Sequence, residues 1–533
     1  MFYGILFVSG GAVLALELLA SRVMTPYFGV SLYIWTGILS ITLVALALGY
    51  WAGGRIAASR RAAGNVARLT QLYALMPAIG AFAIVAACLV YPYLFPGLAG
   101  GNLVAGAFAA CVVLLLVPLI AASAMNPLLV AVLLARGAGR TGDAGTGTVL
   151  FVSTLGSVAG VLVTAFGLIP HVSNFVALLA VALTLALLSL AAAARPPAQL
   201  TSRRHLGITA GAAALVAALM LWQADAYIGR MWPAAHGGRI WSVEAHLSSL
   251  FGTVKILRSE PEADGRFRRM YFQDGLIQNT VGSDGRSLSF YTYGLEALAR
   301  AYRPDLRSAL VLGLGAGIVP MQLARGGATV EAVEIDPASL AAARRYFGFD
   351  NALVRVHLAD ARTHLKRCGR RYDVVVVDLF HGDGTPDYLL TRDFFSDLRS
   401  CLEPRGIAVF NTFADLEQPA VYAHLLATLR AELQHIVLYR PQWPGMTHIN
   451  SFIVASPTPL PGALPVSLRG VPPQFAGALD SMLKQPLALN RGLLDQGEIV
   501  TDARNSIAHD IARNQLSYRR GVVEALPPAF LVN

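Results

Sequence analysis

Along this chain the spacing of apolar positions changes character between about residues 225 and 240. Before that point apolar residues run almost unbroken, at about 2–24, 31–54, 70–95, 103–135, 146–169, 172–194 and 207–223. Crossing ~30 Å of hydrocarbon takes ~20 residues, so the pattern predicts a membrane domain of about seven helices over 1–225. The fourth run is too long for one straight crossing. Pro118 and the pair Asn126-Pro127 predict a kink or a short re-entrant piece there, unless the run hides two passages. The first run lacks a basic leader and continues into further spans, so it reads as a span and not as a cleaved signal peptide.

Beyond 240 the runs shorten and begin to alternate. "GTVKILRS" and "FRRMYFQDGLIQNT" read as antiparallel strands joined by polar, Gly-containing turns, a β-sheet module over 240–300. From 301 to 456 strands alternate with helices. "ALVLG" leads into "IVPMQLARG", "TVEAVEID" into "PASLAAARRYF", "LVRVHLAD" into "ARTHLKRC", and "YDVVVVDLF" into a helix at 391–402. "GIAVFNTF", a helix at about 418–432, "HIVLYR" and "SFIVAS" follow. This order predicts a doubly wound, mostly parallel sheet with its ligand at the strands' carboxyl ends. Residues 457–533 form a C-terminal extension. It opens on a Pro-rich linker, "SPTPLPGALP", and is expected to pack against the catalytic domain.

Composition sharpens this division. Of 533 residues, 55% are hydrophobic and 14% charged, well below the ~25% usual in soluble domains, and acidic residues are scarce before 225. The net charge of +10 is concentrated, in the first half, in short loops: Arg55, Arg60, Arg61 and Arg68, then Arg136 and Arg140, then Arg195, Arg203 and Arg204. That is a topology signal and not a nucleic-acid surface. It places the Arg loops and the amino terminus in the cytoplasm, so seven crossings would put the second half outside. A nucleotide-type cofactor calls instead for a cytoplasmic catalytic domain, and the two expectations conflict. Glu17 and Arg22 lie within the first span; Glu17 is read as a packing residue, since no second acid suggests a relay. Cys88, Cys111, Cys368 and Cys401 form no CxxC pair, so neither zinc nor a disulfide framework is expected, and all four are read as reduced.

The chemistry is concentrated in "LGLGAGIVP". Gly313, Gly315 and Gly317 end one strand and open a helix, so backbone N–H groups face a ligand. The next strand ends in Glu334, placed for ribose hydroxyls, and the third in Asp360-Ala361, placed for an adenine amino group. With Asp378 after the fourth strand, the spacing is that of the class I S-adenosylmethionine fold. A dinucleotide site would prefer GxGxxG, and here Ile occupies the sixth position. Asp336 and Asp360 also suit helix caps.

"MYFQDGLIQNT", "SFYTYGLEAL", the glycine loop, "VEID", "LADA" and "VVVVDLFHGDGTPDYLLTRDFF" follow one another as in the spermidine synthases, the polyamine aminopropyltransferases. The chain resembles that family over about 240–455. Its leading half resembles the membrane-fused members, in "ELLASRVMTPYFG", "ALGYWAGGRIA" and "STLGSVAGVL". The resemblance implies transfer of aminopropyl from decarboxylated S-adenosylmethionine to putrescine or a related amine, with release of methylthioadenosine and no metal. It implies that Asp378 takes the proton of the attacking amine. Gln278 and Tyr291 would line the amine's cleft, together with His381, Asp383 and Pro386 of the following loop.

The chain also departs from the family. The family's glycine-loop Asp, which holds the aminopropyl amine, is Ala316 here, and the second Asp of its Asp-x-x-Asp-Pro motif is His381. Asp383 substitutes only if that loop is one residue longer. Two further readings follow: a membrane-bound S-adenosylmethionine-dependent methyltransferase, or a polyamine- or nucleoside-binding sensor linked to a transporter-like module. The expected partners are a small-molecule amine and a lipid bilayer, with no nucleic acid and with room for a homo-oligomer. The expected location is the cell membrane, multi-pass.

Overall fold

The computed structural model describes residues 1–533 apart from 31, 138–142, 195–202, 381–384, 413–418, 444–449, 488–491, 493–495 and 508–517. Its contacts divide the chain into two units, Met1–His236 with Arg520–Asn533, and Gly237–Arg519.

In the first unit, seven helices among the described residues are long and apolar enough to cross a membrane: Phe2–Phe28, Ile34–Ala57, Val66–Gly100, Leu103–Ala135, Gly145–Leu168, Asn174–Ala194 and Arg204–Trp222. The fourth is a single helical stretch and not two passages. It absorbs Pro118, which cannot donate to the carbonyl four residues back, through a π-helical turn at Val112–Leu116. The seventh run, though short, is helical over 19 residues, so the count stays at seven. Glu17 faces Thr42 on the second helix.

Glycines set how closely these helices approach. A Cβ at Gly156 would lie 2.0 Å from the Phe7 carbonyl oxygen, and one at Gly160 would lie 2.2 Å from that of Gly11. Ser157 Oγ donates to the Gly10 carbonyl at 2.9 Å in the same seam. Gly49 and Gly53 on the second helix meet Ser123, Ala124 and Pro127 on the fourth in the same way. Hydrocarbon supplies no hydrophobic drive between helices, so backbone contact across small residues is what holds them together. The strand β1 (Ala234–His236) closes this part of the chain. The final segment returns to it: Phe530 stacks on Trp232 at 5.2 Å, and the Asn533 carbonyl accepts from the Phe175 N–H at 3.1 Å. The extension expected to pack against the catalytic domain divides at Arg519/Arg520, with its last residues grouped with the first unit.

The second unit contains two sheets. Strands β2 (Arg239–Ser249), β3 (Gly252–Ser259), β4 (Arg268–Gln273) and β5 (Leu276–Gly282) pair antiparallel in chain order. The larger sheet comprises β6 (Ser308–Leu312), β7 (Thr329–Glu334), β8 (Val354–Leu358), β9 (Tyr372–Val377), β10 (Leu402–Thr412), β11 (His435–Tyr439) and β12 (Ser451–Ser456). Its order is β11-β12-β10-β9-β6-β7-β8, parallel from β10 through β8, with β12 antiparallel. β6 and β9 are central and buried on both faces, which accounts for the runs "ALVL" and "VVVV". The cysteine reading is corrected at one pair: Cys368 and Cys401, 33 residues apart, are joined by a disulfide, whereas Cys88 and Cys111 are free and buried. The two bonded residues follow successive helices, Ala361–Lys366 and Arg392–Ser400, whose ends packing brings together; sequence spacing carries no trace of that.

The glycine seam makes a direct prediction. Gly156→Ala or Gly160→Ala should lower the thermal midpoint of the detergent-solubilised protein, by ~1–3 kcal/mol of overpacking. Gly147→Ala, on the same helix with open space around it, should not. Equal midpoints for the three variants would refute the seam.

Candidate functional site

Five neighbouring parallel strands end at one cavity of about 1060 Å³, and each supplies one element of its wall. β6 runs into the glycine turn, β7 ends in Glu334, β8 leads to Asp360 and Ala361, β9 leads to Asp378, and β10 carries Asn411. The small sheet adds Gln273, Ile277 and Gln278, and the helix Phe290–Tyr302 adds Phe290 and Tyr291.

The glycine turn is held from both sides. Gly313, Gly315 and Gly317 all have positive φ, at 92°, 51° and 77°. A Cβ at Gly313 would lie 2.1 Å from the Asp378 carbonyl oxygen, so no other residue fits between the ends of β6 and β9. Gly317 does not face the cavity; it packs against Phe349, where a Cβ would come within 2.5 Å of the ring. The Glu334 carboxylate accepts from the Leu314 N–H at 3.0 Å and the Asp336 N–H at 2.8 Å. Burial raises its pKa, and these backbone donors oppose the shift.

Asp336 accepts from the Ala338 N–H at 2.8 Å and Asp360 from the Thr363 N–H at 2.7 Å. Both therefore cap helices while also lining the cavity. Asp378 is placed differently. Its backbone N–H donates to the Leu312 carbonyl at 2.9 Å, which fixes it beside the glycine turn. Its side chain accepts from Asn411 Nδ2 at 2.8 Å, and Asn411 Oδ1 in turn accepts from Asn450 Nδ2 at 2.9 Å. Burial pushes the Asp378 carboxyl up to about 6, with the Asn411 bond opposing the shift.

The hairpin singled out in sequence turns on Asp274 and Gly275, at φ 48° and 88°, a two-residue loop with both residues left-handed. Asp274 Oδ1 accepts from the Thr253 N–H at 2.9 Å, and the fully buried Arg519 donates to the Asp274 carbonyl at 3.2 Å. The tip so fixed presents Gln273 and Gln278 to the cavity. Tyr291 also lines it; its hydroxyl accepts from Asn279 Nδ2 at 3.1 Å, and burial holds the phenol well above its usual range.

Of the residues expected from sequence, Gly313, Gly315, Glu334, Asp360, Ala361, Asp378, Gln278, Tyr291 and Pro386 share this cavity. His381 and Asp383 lie outside the described residues. Ala316 lines the cavity too, buried in an apolar cluster with Val254, Ile256 and Tyr271. Asn411, Trp443, Tyr388 and Phe475 were not foreseen. Asn411 had a signal: it is the polar residue closing the fifth parallel strand. Phe475 had none, because it follows a stretch that reads as a linker.

A spermine/spermidine synthase domain model matches residues 289–447. A polyamine aminopropyltransferase of Vibrio vulnificus (strain CMCP6) is 34% identical over 163 residues, 29% of this chain and 54% of the relative. One of Moorella thermoacetica is 28% identical over 193 residues, 34% of this chain and 65% of the relative. The chain thus spans between about half and two thirds of the length of these relatives. A solved structure of a probable spermidine synthase from Corynebacterium glutamicum is 18% identical, with a TM-score of 0.37 over 51% of this chain and 93% of that one. The match to the spermine/spermidine synthase domain model thus falls in the second unit of a chain that has, among its described residues, seven helices long and apolar enough to cross a membrane.

Proposed function

We propose that this cavity transfers an aminopropyl group from decarboxylated S-adenosylmethionine to an amine and releases methylthioadenosine. The observation that carries the reading is Asp378: a carboxyl near pH 6, fixed at a strand end beside the glycine turn and held by one amide. A neutral amine nitrogen attacks the methylene next to the sulfonium. The new C–N bond forms as the C–S bond breaks, the electron pair goes to sulfur, and Asp378 takes the proton from nitrogen. A carboxyl with a pKa near 6 is ionised at neutral pH yet basic enough to share that proton.

In this reading the backbone of Gly313 and Gly315 faces the sulfonium end, with Gly317 setting the helix behind them. Glu334 receives the ribose hydroxyls, and Asp360 and Ala361 flank the adenine. Gln278 and Tyr291 border the amine, and Pro386 closes the loop in which His381 and Asp383 would complete the acceptor side. The reaction takes place in a multi-pass protein of the cell membrane, next to a lipid bilayer.

A second reading is favoured by Ala316. Without a carboxylate in the glycine loop, the methionine carboxylate of S-adenosylmethionine would meet no repulsion, and methyl transfer would become feasible on the same site.

Turnover separates the two. Purified protein with decarboxylated cofactor and an amine should yield methylthioadenosine, and Asp378→Asn should lower kcat by ~100-fold or more. S-adenosylhomocysteine formed from S-adenosylmethionine, with no methylthioadenosine from the other cofactor, would establish the methyltransferase instead.

The same carboxyl sets a stability prediction. A folded-state pKa raised from 3.8 to about 6 stabilises the fold fully below pH 3.8 and loses that stabilisation as pH rises through 6. At pH 7.5 ionised Asp378 therefore costs up to ~3 kcal/mol. Asp378→Asn should have a higher thermal midpoint than wild type at pH 7.5, with the gap closing toward pH 4. A gap independent of pH would mean that Asp378 titrates normally.

A further inference from the structure

The hairpin at the cavity mouth is anchored from a part of the chain that lies well beyond the matched domain. Arg519 is fully buried, and its Nη1 donates to the Asp274 carbonyl at 3.2 Å across 245 residues of sequence. A guanidinium taken out of water is costly unless its donors are used, and here one is spent on a backbone carbonyl at a turn. Asp274 holds a φ of 48°, a conformation that a residue with a Cβ keeps only with outside support. That support reaches it at both ends: the Thr253 N–H donates to its Oδ1 at 2.9 Å, and Arg519 holds its carbonyl. Tyr518, next to Arg519, lines the cavity itself.

The two strands that leave this tip are secured differently. On β5, Gln278 adjoins Asn279, which has anchors of its own. Asn279 Nδ2 donates to the Tyr291 hydroxyl at 3.1 Å, and its Oδ1 accepts from Ser287 Oγ at 3.1 Å. On β4, Gln273 directly precedes Asp274, so the peptide that Arg519 fixes is the one that follows it. Gln273 Oε1 accepts from the Tyr271 hydroxyl at 3.3 Å, and that hydroxyl shares a 2.7 Å hydrogen bond with Ser339 Oγ. Burial, and then the charge of Glu334, holds the Tyr271 phenol well above its usual range. Ser339 and Glu334 both line the cavity, so Gln273 belongs to the wall that Glu334 shares.

We propose that Arg519 is a positioning residue for the cofactor side of this site, acting through the Asp274 carbonyl on Gln273. The inference rests on the aminopropyl-transfer reading, in which Glu334 receives the ribose of an adenosyl sulfonium. Release of the tip would let Gln273 drift, because the long Tyr271 bond is its other tie to the wall. Gln278 would stay in place, because Asn279 is bonded independently of the tip. The acceptor amine would therefore feel the loss of Arg519 less than the cofactor does.

The test uses full-length protein in detergent and methylthioadenosine as the binding probe. Arg519→Met should raise the Kd for methylthioadenosine, and the KM for decarboxylated cofactor, by about tenfold, while the KM for putrescine moves by less than about twofold. Arg519→Lys, which keeps a cationic donor, should recover part of the loss. Gln273→Ala should weaken methylthioadenosine binding in the wild-type background and add little on top of Arg519→Met, since both changes remove one interaction. Arg519→Lys carries the same cycle should the Met variant not fold. Additive losses, equal shifts in the two KM values, or unchanged binding by the Arg519 variants would overturn the inference and leave aminopropyl transfer standing. Wild-type protein that binds no methylthioadenosine overturns both.

Discussion

The cavity depends on how closely two strand ends approach. Gly313 and Asp378 leave β6 and β9 side by side, so near that even one methyl group at 313 would strike the Asp378 carbonyl. Their neighbours are cross-bonded in both directions, the Gly313 N–H to Val333 and the Asp378 N–H to Leu312. This brings a glycine turn and a desolvated carboxyl within one small volume. It also explains why the turn must be glycine at its first position: the constraint is contact with the next strand, in addition to a favourable φ.

Two buried acids in this volume have their pKa values raised by the same cause and are satisfied by different donors. Glu334 is surrounded by backbone N–H groups, which belong to the fold and cannot leave, so it acts as a rivet for the turn. Asp378 is held by a single side-chain amide, itself oriented by Asn450. A carboxylate with lone pairs left over in a low-dielectric cleft remains open to a further donor. Environment, and not residue type, separates the two acids.

Much of this was legible in the sequence, for identifiable reasons. Unbroken apolar runs have few interpretations, and the seven long helices fall on them. Strands β6 to β10 were legible because strands buried on both faces read as continuous hydrophobic runs, and Asp-Gly between alternating residues announces the hairpin. Legibility failed where the deciding contact is distant in sequence. The pairing of Cys368 with Cys401 depends on how two helices end side by side. The kink expected at Pro118 became a π-helical turn, because a helix can restore its hydrogen bonding by shifting register. The segment after "SPTPLPGALP" looked inert because proline-rich composition says how a chain leaves a domain and nothing of where it comes back.

That return of the chain bears on how such a protein changes over evolutionary time. The strands that carry the glycine turn and the buried acids are fixed by mutual contact, and almost any substitution among Gly313, Glu334 and Asp378 disturbs the others. Phe475 and Gln474 stand on a helix outside that frame, attached by a few apolar contacts to one face of it. Drift in this helix would reshape one wall of the cavity without touching the strand-end contacts. Lineages carrying the same strand-end frame can therefore differ in the shape of the cavity it borders.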